Sequence, residues 1–113
     1  MEHEIQLDLQ LLNGYLDNLG RDVVQQMLTL YTQQSEIYLT EIQSTLIAQD
    51  KNEWRDKCHK MKGAAGSVGL VQVHGLLVDI EKSEVPWAQR QEHFTNLQRL
   101  NNEAIASFNT WLG

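Results

Sequence analysis

One cysteine, one proline and only nine basic side chains in 113 residues define first what this chain is not. A lone cysteine rules out an internal disulfide framework and fits a reducing compartment. With a single proline and no Pro/Gly/Ser-rich tract, no linker divides the chain. Residues 1–113 therefore read as one domain, long enough to bury a core without covalent staples. No apolar run approaches the roughly 20 residues of a membrane span, and the opening MEHEIQLD has nothing of a signal peptide. The expected compartment is the cytoplasm, with no direct membrane contact. Nine Lys and Arg stand against 15 Asp and Glu, for a net charge of −6. That deficit argues against a nucleic-acid partner, whose phosphates require a basic face. Internal repeats, low-complexity tracts and sustained period-two alternation are also missing.

What is there is helical period. Leu9, Leu12, Leu16 and Leu19 recur at spacings of 3, 4 and 3 behind Asp8, a good N-cap residue. They predict a short first helix despite the turn-like Asn13-Gly14 pair. Val24, Met27, Leu28, Tyr31, Tyr38, Leu39, Ile42 and Leu46 keep one stripe from about residue 21 to 48. At ~1.5 Å per residue that helix is roughly 40 Å long and sets the length of the domain. Asp50 is placed to cap a third helix, whose buried stripe is Trp54, Cys58, Met61, Ala65 and Val68. A fourth is expected from about Val71 to Ser83, with Val73, Leu76, Leu77 and Ile80 inward. Pro86 suits the first turn of a fifth, which continues through Phe94, Leu97, Ala104, Phe108 and Trp111. The fold class is all-α: an antiparallel four-helix bundle with a short accessory N-terminal helix. Such a bundle buries its own stripes, so a monomer is expected.

The segment CHKMKGAAGSVGL, Cys58 to Leu70, runs against this pattern. Gly63, Gly66 and Gly69 recur within a helical stretch, and each helix-interior glycine costs about 1 kcal/mol relative to alanine. On a wheel of ~100° per residue, His59 points away from the apolar stripe. Arg55, Asp56, Lys62, Gly63, Gly66 and Leu70 lie within ~60° of it. Gly63 and Gly66 thus clear the surface beside an outward imidazole, so that a partner's backbone can approach. Lys62, one turn on, supplies a mobile cation suited to a phosphoryl group attached to His59. A lone exposed histidine is ordinarily just surface, and small residues ordinarily serve helix packing. His, Lys and two Gly on one solvent face are jointly explained by a site reached by something large. Gly69, off that line, reads as the end of the third helix.

These residues carry a resemblance. HKMKGAAGSVGL resembles the signature of histidine-containing phosphotransfer (HPt) domains, His-x-hydrophobic-Lys-Gly-small-small-x-x-hydrophobic-Gly. His59, Met61, Lys62, Gly63, Ala64, Ala65, Val68 and Gly69 fill its positions. LDLQLLNGYLDNLG is similar to the family's short first helix, and the helix order fits nearly the whole chain. The segment is most similar to C-terminal HPt domains of hybrid sensor kinases that respond to respiratory conditions, of the anaerobic-control and TMAO-sensor type. The resemblance implies that His59 accepts a phosphoryl group from the aspartyl-phosphate of a receiver domain in a hybrid kinase. It then passes the group to the aspartate of a response-regulator receiver. An imidazole, with an ordinary pKa of ~6.5, is a competent nucleophile at cytoplasmic pH. Positioning and charge neutralisation do most of the work of phosphoryl transfer. No cofactor or metal is therefore expected on this chain, and Mg2+ would belong to the receiver. The chain would be a phosphocarrier without its own ATP site, either free-standing or part of a hybrid sensor kinase at the inner membrane.

The chain departs from the family at one place. Members commonly place a glutamine 22 residues after the histidine, where it hydrogen-bonds the second imidazole nitrogen; here that position is Glu81. A carboxylate can accept the same N–H and favours the charged phosphoimidazole more strongly. Spacing alone leaves Glu81 either as an imidazole-orienting residue or as part of a solvated face with Lys82 and Glu84. Leu16, Leu19, Arg55 and Leu70 are candidates for docking a receiver. Cys58, adjacent to His59 in sequence, lies on the apolar stripe and reads as a buried structural thiol. His3, His74 and His93 have no zinc-type spacing, and Trp54, Trp87 and Trp111 read as packing residues near helix ends. Two other functions compete: a docking module that binds receivers without accepting phosphate, and a metal- or cofactor-carrying bundle. The latter would need inward Glu and His ligands, where aliphatic and aromatic residues are expected.

Overall fold

Asp8 and Asp50 each begin a helix. Their carboxylates accept from the backbone N–H of Leu11 and Glu53, both at 3.1 Å, in N-caps that replace bonds the first turn cannot make itself. The computed structural model describes residues 6–113, which places His3 outside the described residues. It contains α1 (Leu9–Leu19), α2 (Arg21–Ala48), α3 (Lys51–Ser67), α4 (Val71–Glu81) and α5 (Trp87–Leu112). The expected bounds of α2 hold, and the longest dimension of the molecule is 43 Å. Asn13 and Gly14 remain helical inside α1, where Leu12 is fully buried.

Helices α2 to α5 form a ring. Each packs on the next, α2 closes on α5, and α1 lies against α2. Neighbours run antiparallel, as paired residues show: Lys57 meets Glu41 at 3.2 Å across α2 and α3, and Trp54 meets Ile80 across α3 and α4. The interior holds the predicted stripes, including Trp54, Cys58, Met61, Ala65 and Val68 from α3 and Phe94, Leu97, Ala104 and Phe108 from α5. It is not purely apolar, contrary to expectation. Tyr31 of α2 donates to Asn101 Oδ1 of α5 at 2.7 Å, and Asn101 donates to Ser35 Oγ at 3.0 Å. This satisfied polar trio sets the register of α2 on α5, because a slip would leave buried groups without partners.

Gly69 marks the end of α3 as expected, whereas the end of α4 and the start of α5 differ from the periodic reading. Gly69 adopts φ +73°, and the α3 carbonyls are closed by Gly69 N–H to Gly66 O (3.2 Å) and Leu70 N–H to Ala65 O (3.0 Å). This is the Schellman arrangement, in which a left-handed residue, here glycine, reverses the chain. Leu70 therefore leaves the α3 wheel, bridges to Leu7 and is fully buried. It is corrected from a docking candidate to a core residue. Helix α4 stops at Glu81, two residues before the expected Ser83, with Lys82 as its C-cap donating its N–H to the Ile80 carbonyl. Pro86 sits one position outside α5 as its N-cap, its carbonyl accepting from Gln89 and Arg90.

Candidate functional site

The midpoint of α3 presents His59 outward. Its apolar stripe faces the core and the imidazole side chain stays 67% exposed. Glu81, the last residue of α4, comes alongside because α3 and α4 run antiparallel. Its carboxylate is only 7% exposed and accepts two hydrogen bonds, from His59 Nδ1 and from Lys62 Nζ, each at 2.6 Å. Glu81 is therefore not part of a solvated face, whereas Glu84 is, reaching Lys51 at 2.8 Å on the surface.

Burial alone would push the Glu81 carboxyl up. The hydrogen bonds from Lys62 and His59, with their charges, outweigh it and hold the group below its ordinary range. An ionised carboxylate only accepts, so the hydrogen of a neutral His59 ring must sit on Nδ1. Nε2 then carries the lone pair, and it makes no hydrogen bond among the described residues. The arrangement chemically amounts to an outward nucleophilic nitrogen whose tautomer is fixed from behind.

Lys62 differs from expectation. It is held against Glu81 and is mostly buried rather than being a mobile cation. The glycines also separate. A Cβ added at Gly63 would meet nothing within 4 Å, so this position is open surface beside His59. At Gly66 it would lie 3.1 Å from His74 Cδ2. Gly66 is thus corrected from a residue that clears access to one that lets α4 pack closely through His74. Of the docking candidates, Leu19 is exposed, Leu16 is half-buried against the core, and Arg55 is exposed near Glu84 at 3.9 Å.

Cys58 is fully buried, and its thiol is pushed up to about 12, by burial first and then by the negative charge of Glu81. Sequence reasoning overlooked Arg90, which is 2% exposed. Its position was a signal: Arg90, Phe94, Leu97, Asn101, Ala104 and Phe108 share one buried stripe of α5. Among the described residues, no group of three or more His, Cys, Asp or Glu could hold a metal ion, and no helix is long and apolar enough to cross a membrane.

A family model described as the Hpt domain matches residues 26–107. The aerobic respiration control sensor protein ArcB of Escherichia coli K12 is 35% identical over 83 residues, 74% of this chain and 11% of that protein. ArcB of Shigella flexneri matches to the same extent. The chain therefore spans a small part of the length of these curated relatives. The solved histidine-containing phosphotransfer domain of ArcB from E. coli superposes with a TM-score of 0.88 at 28% identity, covering 99% of this chain and 97% of that one. A solution structure of the same E. coli domain gives 0.86, also at 28% identity, covering 98% and 90%.

Proposed function

The chain belongs to the Hpt domain family and is a phosphotransfer module of two-component phosphorelays; from that premise we propose that His59 is its phosphoacceptor, through Nε2. The observation that carries the assignment is the bridging Glu81 carboxylate, which engages Nδ1 and leaves Nε2 outward. The Nε2 lone pair attacks the phosphorus of a receiver aspartyl-phosphate. The bond between phosphorus and the aspartate oxygen breaks as the P–N bond forms, and the aspartate leaves as a carboxylate. Nδ1–H stays bound to Glu81, whose negative charge balances the positive ring produced. Attack by the aspartate of a second receiver reverses these steps. Lys62 is one helical turn from His59 and supplies positive charge next to the arriving phosphoryl oxygens.

The open surface at Gly63 supports close approach of a receiver domain, with Leu16, Leu19 and Arg55 as its contacts. We assign Mg2+ to the receiver and no cofactor to this chain, which acts as a phosphocarrier without its own ATP site. Similarity to ArcB, an aerobic respiration control sensor, supports placing it in a respiratory sensor pathway, and we assign it there as a monomeric domain on the cytoplasmic side. The test is incubation with a phosphorylated receiver. The chain should gain an acid-labile, base-stable phosphate that is lost in His59→Gln and gained more slowly in Lys62→Ala. Label persisting in His59→Gln would place the phosphoacceptor on another residue, and a folded wild-type chain that binds a receiver but takes no label would favour the docking-module reading instead.

A further inference from the structure

Glu81 occupies a poor place for a precisely held carboxylate. It is the last residue of α4, where helices fray, and a negative charge there opposes the helix dipole. No basic residue lies in the last turn of α4 to offset it. Something outside α4 must hold this end.

Two buried side chains grip the backbone on either side of it. Trp54 of α3, 1% exposed, donates its indole N–H to the Ile80 carbonyl at 2.9 Å. Arg90 of α5 donates from Nη2 to the Ser83 carbonyl at 2.7 Å. The two are also coupled to each other. The Arg90 guanidinium lies 4.3 Å from the Trp87 ring centroid and 5.8 Å from that of Trp54, while the two indoles meet edge to face at 6.3 Å. Arg90 Nε and Nη1 make no hydrogen bond among the described residues. Burying a guanidinium this way is costly, and the aromatic faces recover only part of the cost. An apolar side chain of similar size would serve packing alone better, so the charged group points to a task at Ser83.

We propose that Trp54 and Arg90 are positioning residues. By fixing the carbonyls of Ile80 and Ser83 they hold the Glu81 carboxylate against His59 Nδ1 and Lys62, and so set which imidazole nitrogen is free. The inference rests on the reading in which Glu81 orients His59. Neither side chain touches the reacting atoms.

The experiment uses Trp54→Phe, which keeps the ring and removes the N–H, and Arg90→Met, each alone and combined with Glu81→Ala. Nitrogen-15 NMR of the His59 ring, at a pH about 2 units above the ordinary imidazole value, reads the tautomer without any phosphoryl donor. Each single variant should turn one Nδ1–H tautomer into a mixture. Each should slow transfer about threefold, the factor expected for one ordinary hydrogen bond, with no further change in the Glu81→Ala background. A tautomer unmoved in both variants, or the same fold-loss of rate with and without Glu81, would overturn the proposal. Arg90→Lys retains a donor and should recover the single tautomer; if Trp54→Phe does not fold, the Arg90 pair alone decides. A wild-type chain that never accepts phosphate would refute the assigned function, while the tautomer measurement still tests the clamp.

Discussion

Replacing Glu81 separates orientation from charge. In Glu81→Ala both bonds to the carboxylate vanish, whereas Glu81→Gln keeps a carbonyl for His59 Nδ1–H but offers nothing equivalent to Lys62. A hydrogen bond involving a charged group contributes about 1.5–3 kcal/mol. Here the donors are not trapped: the imidazole is two-thirds exposed, and the Lys62 side chain, 22% exposed, can turn to water. Desolvation of the carboxylate further offsets the gain, so the net loss of stability in Glu81→Ala is about 1–2 kcal/mol, or roughly 4–8 °C in Tm for a domain of this size. Transfer should slow about tenfold, the equivalent of ~1.4 kcal/mol, because Nδ1 no longer must carry the hydrogen. Glu81→Gln should stay within about threefold of wild type, since one neutral hydrogen bond suffices to select the tautomer. The pH dependence has a definite sign. The folded carboxyl is held below its ordinary range, so its contribution is fully present above about 4.3, the ordinary glutamate value, and fades as pH falls through the depressed folded value. The wild-type advantage over Glu81→Gln in urea melts should therefore shrink on acidification below that value. Rapid-quench transfer from a phosphorylated receiver is the rate assay. Equal rates for all three proteins, or Gln as slow as Ala, would refute the orienting role.

Three further outcomes follow from the same geometry. Gly63→Leu should fold normally, because an added side chain there meets open space, and should cut transfer by about tenfold or more through obstruction of the partner (~1.4 kcal/mol per decade); unchanged transfer would show that nothing docks over this position. Gly69→Ala should destabilise the domain by about 2 kcal/mol in urea, since φ +73° costs an L-residue about 1–2 kcal/mol and the new Cβ would lie 3.3 Å from Leu12 Cγ; a neutral result would contradict the helix-end geometry. Cys58, fully buried with its thiol pushed up to about 12, should react with a thiol reagent only as the protein unfolds, and rapid labelling of the native chain would place it elsewhere.

Periodicity carried the fold because packing depends on it: the α3 stripe of Trp54, Cys58, Met61, Ala65 and Val68 is buried as its spacing requires, and in α2 Val24, Leu28, Tyr31, Ile42 and Leu46 are buried while Met27, Tyr38 and Leu39 pack half-buried beside them. Reading α3 onward to Leu70 failed because a wheel cannot see φ, and the left-handed Gly69 turned Leu70 into the core. The site was legible as an outward His59 on a cleared face. Its electrostatics were not, since Lys62 and Glu81 lie 19 residues apart and meet only through the antiparallel packing of α3 on α4. Gly66 was misread for a similar reason, because only the α3–α4 contact reveals His74 against it. Arg90 escaped notice because a charged residue on a buried stripe looks like a solvated one until its aromatic neighbours are placed.

Glu81 holds Nδ1 so that Nε2 of His59 receives the phosphoryl group. Nitrogen-15 and phosphorus-31 NMR of the ring-labelled chain, phosphorylated by a receiver, tests this directly. Phosphorus should couple to Nε2, with Nδ1 still protonated. Phosphorus on Nδ1, or on any residue other than His59, would contradict this assignment.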